Sequence, residues 1–150
     1  MATGRRLLPV MATAVALLLA APAVAQAAPS ISLAGDVTIQ SPRLLTVPLE
    51  VTCDPVGQES TFIVVTVTQG TLQTPSYVEG QGDVLTLTCD SAPHIYDVAV
   101  RVTFGRGVWR PGKASLTAIL SYCFRAPDGT LSCTTQAFIG AGTPIILVRD

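Results

Sequence analysis

Few residues in this 150-residue chain are equipped for chemistry, and their spacing limits what they can do. His94 is the one histidine, with Asp90 four positions before it and Asp97 three after. An imidazole between carboxylates suits a general base or one ligand of a metal site. Biological zinc and copper sites gather several imidazoles or thiolates, and no second histidine or free thiol lies nearby. The bland reading is a capped turn at a strand entry. A Ser-His-Asp triad assembled in space is the remaining enzymatic route. However, the chain has no Gly-x-Ser-x-Gly nucleophile turn, no usefully spaced carboxylate pair and no phosphate-binding glycine loop. No catalytic residue, metal or cofactor is expected.

Trp109 offers more. It stands among Arg106, Arg110 and Lys113 in a segment rich in Gly and Pro. If exposed, such a Trp stacks on a sugar ring or grips an anionic polymer or partner protein, with the cations around it. If folded over the end of the domain, it leaves the arginines to solvate a turn. These four residues are the candidate binding site. The connection from Gly70 to Gly82 is a second region of interest, because Leu72, Tyr77 and Val78 interrupt a turn-like stretch. It reads as a short edge strand, or as a presented loop of the kind protease inhibitors use.

The elements that must position these groups are strands throughout. Leu45, Val47, Leu49, Val51 and Cys53 alternate with Thr46, Pro48, Glu50 and Thr52, a half-buried strand. Pro48 cannot donate to a ladder, which points to an edge or a bulge. Further strands are expected over Thr61–Gln69, Val84–Cys89, Tyr96–Phe104, Ala114–Phe124, Thr130–Ile139 and Pro144–Val148, with a weaker one over Ile31–Ile39. In the fourth, Tyr96, Val98, Val100, Val102 and Phe104 should face inward. The punctuation is turn chemistry: Asp54-Pro55-Val56-Gly57, Gly80-Gln81-Gly82-Asp83, Arg110-Pro111-Gly112 and Ala126-Pro127-Asp128-Gly129. Seven to eight short strands in one domain, with no helical period, signal a β-sandwich or barrel.

The four cysteines fit into that frame as two disulfides, in one of three connectivities. Pro127-Asp128-Gly129 suits a type I turn closed by a left-handed Gly. That loop pairs Ala126 with Thr130 and, stepping back, Cys123 with Cys133. Directly opposed residues are close enough to bridge. Cys53 and Cys89 are then left for each other, and both end strands running in the same direction. Cys123 falls on the less apolar face of its strand, so that bridge is either on the solvent side or follows a bulge.

The first 27 residues read as a signal peptide. Arg5 and Arg6 precede an uncharged run from Leu7 to Ala21, and Ala23-Val24-Ala25 and Ala25-Gln26-Ala27 are small-x-small cleavage sites. An uncleaved anchor and twin-arginine export are the alternatives. No Cys lies near the cleavage site to carry a lipid, and the C-terminal apolar run is too short for a membrane tail. Residues 28–150 then form one domain of roughly 123 residues, enough for a hydrophobic core. Without Arg5 and Arg6, seven basic residues stand against ten acidic ones, a net charge of −3. That balance argues against nucleic acid as partner.

The strand ends LEVTCD (49–54) and LTLTCD (85–90), the segment CDSAPHIYDVAV (89–100) and RPGKASLTA (110–118) carry a family resemblance. Together with the leader, the region from about Leu44 to Ile139 resembles small, uncharacterised secreted immunoglobulin-like proteins of high-GC Gram-positive bacteria. The resemblance implies an antiparallel immunoglobulin-like β-sandwich and an extracellular address, and transfers no catalytic residue. Trp109 and the tyrosines do not occupy antibody-type positions. The expectation is a secreted, non-enzymatic interaction module whose partner is an extracellular protein or cell-envelope polymer. A secreted protease inhibitor or small-ligand carrier is the alternative.

Overall fold

The computed structural model describes residues 27–55 and 60–149, so the leader, except Ala27, and the turn at Val56-Gly57 fall outside the described residues. The chain is all-β, with no helix among those residues. Its eight strands are β1 (Ser30–Leu33), β2 (Val37–Ser41), β3 (Leu44–Thr52), β4 (Ser60–Gln69), β5 (Val78–Val84), β6 (Pro93–Gly105), β7 (Gly112–Arg125) and β8 (Leu131–Arg149).

The strand pattern allows a sandwich or a barrel, and the immunoglobulin-like resemblance implies a sandwich of two packed sheets; the ladders instead run around a ring. β3 pairs with β6, β6 with β5, β5 with β4, β4 with β7, and β7 with β8, all antiparallel. β2 closes the circle, antiparallel to β3 and parallel to β8 through Val37 to Ile39. Seven strands thus form a closed barrel, with β1 lying beside β2 along the same edge of β3. Closure leaves few unpaired edges, which is the physical advantage of a barrel over an open sheet.

Alternating side chains fill the interior. Leu45, Val47, Leu49 and Val51 of β3 meet Ile63, Val65 and Val67 of β4, Val98 and Val100 of β6 and Leu116, Ala118, Leu120 and Tyr122 of β7. Pro48 sits in a fully paired strand, not at an edge. Its carbonyl accepts from Ala34 N at 3.0 Å, so its missing N–H faces the break between β1 and β2 and costs no ladder bond to β6.

Three other expectations shift for identifiable reasons. The strand placed at Val84–Cys89 is β5, six residues earlier. Gly80 and Gly82 are inward strand positions, not a turn. A Cβ on Gly80 would lie 2.7 Å from both the Arg101 carbonyl and Trp109 Cζ2. Phe104 is 60 % exposed because Glu79 pairs with Phe104 but Gly80 with Val102, and the extra residue on β6 turns the ring outward. The two expected C-terminal strands are one, β8, interrupted where Leu116 pairs with Thr143 and Ala118 with Ile139.

Both expected disulfides form: Cys123–Cys133, which the hairpin register requires, and Cys53–Cys89, which elimination and strand direction leave. Gly129 has φ 86°, its N–H bonds Ala126 O at 2.9 Å, and the pairs run through to Cys123 opposite Cys133. A register shift between Leu120 and Ser121 leaves Gln136 unpaired; Cys123 is buried, whereas Cys133 is exposed to solvent. Loop-entropy reasoning assigns about 4 kcal/mol to the 36-residue bridge and about 3 kcal/mol to the 10-residue one. We expect the double substitution Cys53→Ser/Cys89→Ser to lower the urea-unfolding free energy by about 1 kcal/mol more than Cys123→Ser/Cys133→Ser. Equal losses would show that packing around Cys123 outweighs loop closure.

Candidate functional site

The connection from β6 to β7 folds back over one end of the barrel and is held by its backbone. Gly107 N donates to Tyr77 O at 3.2 Å and Trp109 N to Pro42 O at 3.0 Å. Gln69 at the end of β4 clamps the next residue from both sides. Its Oε1 accepts from Arg110 N at 3.0 Å, and its Nε2 donates to Arg110 O at 2.8 Å. The same Nε2 also reaches Lys113 O at 3.3 Å.

Trp109 is 1 % exposed and belongs to the hydrophobic core, its Cζ2 edge facing Gly80. It has no ring face to offer a ligand. Instead it is the peg that seats the loop, with Nε1 buried and unpartnered. Arg106, Arg110 and Lys113 remain exposed around it. Of the two readings the sequence offers for Trp109, an exposed stacking platform or an indole folded over the end of the domain with its arginines in solvent, the structure shows the second.

Barrel closure adds cations that no sequence motif connects to this loop. Arg43, in the β2–β3 turn, and Arg149, the last residue of β8, emerge at the same end, and both are exposed. Two open depressions lie there. One, of about 270 Å³, is lined by Pro75, Ser76, Arg106, Gly107, Val108 and Arg110. The other, of about 340 Å³, is lined by Ile39, Gln40, Ser41, Pro42 and Arg149. Pro42 borders the second depression, and its carbonyl is tied to the loop that lines the first. Among the described residues no ion pair engages any of these five cations. The carboxylate close by, Glu79, already accepts from Tyr77 OH at 2.7 Å.

The opposite end is acidic and internally satisfied. Asp90 Oδ1 lies 2.9 Å from His94 Nε2 and also accepts from Ala92 N; these two contacts, the imidazole first, hold its carboxyl below the usual range. Asp128 Oδ1 accepts from Thr130 Oγ1 at 2.6 Å and from Thr130 N at 2.9 Å, which lowers its pKa likewise. Asp54 Oδ1 accepts from Ser91 Oγ at 3.2 Å, and Asp54 N donates to Tyr122 OH at 2.9 Å, a phenol whose pKa burial raises. Tyr96 OH accepts from Thr88 N at 2.8 Å. His94 is thus a turn-capping group. Its neighbour Ser91 turns to a different aspartate, so no Ser-His-Asp relay is aligned here.

No family model matches the chain, and no curated protein or solved structure is significantly similar to it.

Trp109→Ala should destabilise the domain by about 3–5 kcal/mol, the usual cost of removing a buried Trp. Trp109→Phe should cost clearly less, because it fills part of the space and removes a buried donor without a partner. Urea melts of both variants check the order. Asp128 tests the acidic turns. Its folded pKa lies below the ordinary 3.8, so its contribution is present above that value and lost as pH falls through the lowered one. Asp128→Ala should therefore lower the melting temperature at pH 6, and the gap should close as pH drops below 3.8.

Proposed function

We propose that the mature domain is a secreted, non-enzymatic binding module that docks end-on, through its basic pole, onto anionic ligands in the medium or at the cell envelope. The observation that carries this reading is an asymmetry of satisfaction. The aspartates of one pole are spent on local turns, whereas Arg43, Arg106, Arg110, Lys113 and Arg149 project from clamped segments without an ion-pair partner among the described residues. Guanidinium groups held on a rigid scaffold are suited to oxyanions, because their planar forks bind carboxylate or phosphate in two places at once.

Several features support the extracellular address. The leader has the charge and apolar pattern of a signal peptide, and all four cysteines are in disulfides, the state an oxidising compartment maintains. The resemblance to small secreted immunoglobulin-like proteins points the same way. The interior is filled by side chains such as Leu45, Ile63, Leu116 and Trp109, which favours surface recognition over carriage of a small apolar ligand. One observation favours the protease-inhibitor reading: Leu72 is 69 % exposed on the Thr71–Thr74 turn. Stoichiometric inhibition of a serine protease, lost in Leu72→Asp, would support it instead.

The test exploits the mismatch between net charge and charge distribution. At pH 7 the oxidised mature protein, net −3 by sequence, should be retained on a sulfonate matrix and elute with added salt. Arg106→Glu/Arg110→Glu should weaken retention about 10–100-fold at low salt and leave the melting temperature within about 2 °C. Passage of the unsubstituted protein straight through the matrix would overturn the proposal.

A further inference from the structure

We infer that the ligand of the basic pole is a linear acidic glycan, laid across both depressions so that successive anionic sugar units meet successive arginine-flanked hollows. This inference rests on the docking function proposed above and names its ligand class. Three observations carry it.

The first is duplication. A single small anion would be served by one cluster of cations, yet the pole presents two separate hollows. One has Arg106 and Arg110, the other Arg149, and the Trp109 N to Pro42 O bond links their rims. A ligand that repeats along its length matches a site that repeats.

The second is the chemistry of the linings. Each hollow combines an arginine with a neutral polar side chain and an apolar surface. Ser76 accompanies Pro75 and Val108 in the first, and Ser41 and Gln40 accompany Pro42 in the second, where the bordering Ile39 is itself buried in the core. A bare polyanion would use only the arginines. A sugar acid uses all three kinds of group, because it offers an oxyanion, hydroxyls and a face of C–H bonds. Nucleic acid without its strands separated offers phosphates but no accessible apolar face, and strands bound singly want exposed aromatic platforms. The tryptophan of this pole is buried.

The third is access. Both hollows open to solvent, and the residues that line them are mostly exposed. An open site does not demand a chain end, so internal stretches of a long polymer can dock. Engaging two hollows at once converts two weak contacts into one stronger one by raising the effective concentration of the second.

The experiment is a titration of the oxidised mature protein with polygalacturonate fragments of one, two, four and eight units. A phosphodiester-linked sugar polymer, inorganic polyphosphate of matched charge and duplex DNA are run in parallel at one ionic strength. Affinity for one or both acidic glycans should rise at least 10-fold from the short to the long fragments and exceed that for polyphosphate and DNA. Which glycan binds more tightly identifies the acid. Arg149→Ser alone, and Arg106→Ser/Arg110→Ser alone, should each reduce long-fragment affinity about 10-fold and flatten the length dependence. Arg125→Ser at the far pole should leave it unchanged. Binding of polyphosphate or DNA at least as tight as either glycan would overturn the glycan assignment and leave anion docking intact. Length-independent binding would overturn the two-hollow arrangement. Absence of binding to every polyanion would overturn the docking function as well.

Discussion

At one end of the barrel the indole of Trp109 rests against the backbone of Gly80, with the Arg101 carbonyl equally close to where a Cβ would be. That contact serves two purposes. The missing side chain at Gly80 lets β5 and β6 approach closely enough to continue the ladder around the ring, and it makes room for the indole in the core. Burying a Trp removes about 150–250 Å² from water, worth about 4–6 kcal/mol at the usual area coefficient. The unpartnered Nε1 offsets about 1–3 kcal/mol of that. What remains is enough to hold the β6–β7 connection down. Arg106 and Arg110, three residues before and one after the indole, inherit their positions from it.

Local rules wrote the parts of the fold that were legible in the sequence. The alternation in Leu45–Val51 gave β3, and Pro127-Asp128-Gly129 gave a hairpin whose register led residue by residue to Cys123–Cys133. The errors have one character. Gly80 and Gly82 look like turn residues because glycine usually permits a bend, but here it permits a close approach, and only the neighbouring strand and Trp109 reveal which. Phe104 continues a perfect inward alternation on paper. One extra residue in β6 reverses it, and nothing in the sequence marks the bulge. Barrel closure through β2 and β8 joins segments more than a hundred residues apart by a short parallel ladder. A short parallel ladder leaves no periodic trace distinct from that of a sandwich.

The candidate site was half legible for the same reason. Its central loop is a compact string of Arg106, Trp109, Arg110 and Lys113, visible as a cluster. Arg43, Arg149 and the clamp Gln69 join it only because successive strands reverse direction. The β2–β3, β4–β5 and β6–β7 connections and the end of β8 all emerge at one pole, while the intervening connections emerge at the other. Basic and acidic residues alternate along the chain in blocks of a few tens of residues, which reads as a well-mixed sequence. The reversal of successive strands from β2 onward carries Arg43, Arg106, Arg110, Lys113 and Arg149 to one end and Asp54, Asp90 and Asp128 to the other. Composition averages over that separation, and so a net charge of −3 conceals a strongly basic surface.

Whether the pole can act independently of the rest of the molecule is a question of distance against screening. A nine-residue strand such as β3 spans about 30 Å fully extended, and somewhat less along the axis of a barrel whose strands are tilted. The Debye length at physiological ionic strength is about 8 Å. The acidic pole therefore lies two or more screening lengths from the arginines and takes little from their field. Glu50, Asp83 and Asp97, exposed on the strands of the barrel wall, are closer and have a different effect. They disfavour an anion lying along much of the side of the barrel, where Arg101 of β6 is an exposed cation, so an anionic chain finds its strongest attraction over the end. Repulsive walls and an attractive end select a binding pose in a way that uniform positive charge would not. At low salt the walls would also lower the encounter rate. Moderate salt should therefore cost this protein less affinity than it costs a uniformly basic one, because the opposing charges are screened together with the attracting ones.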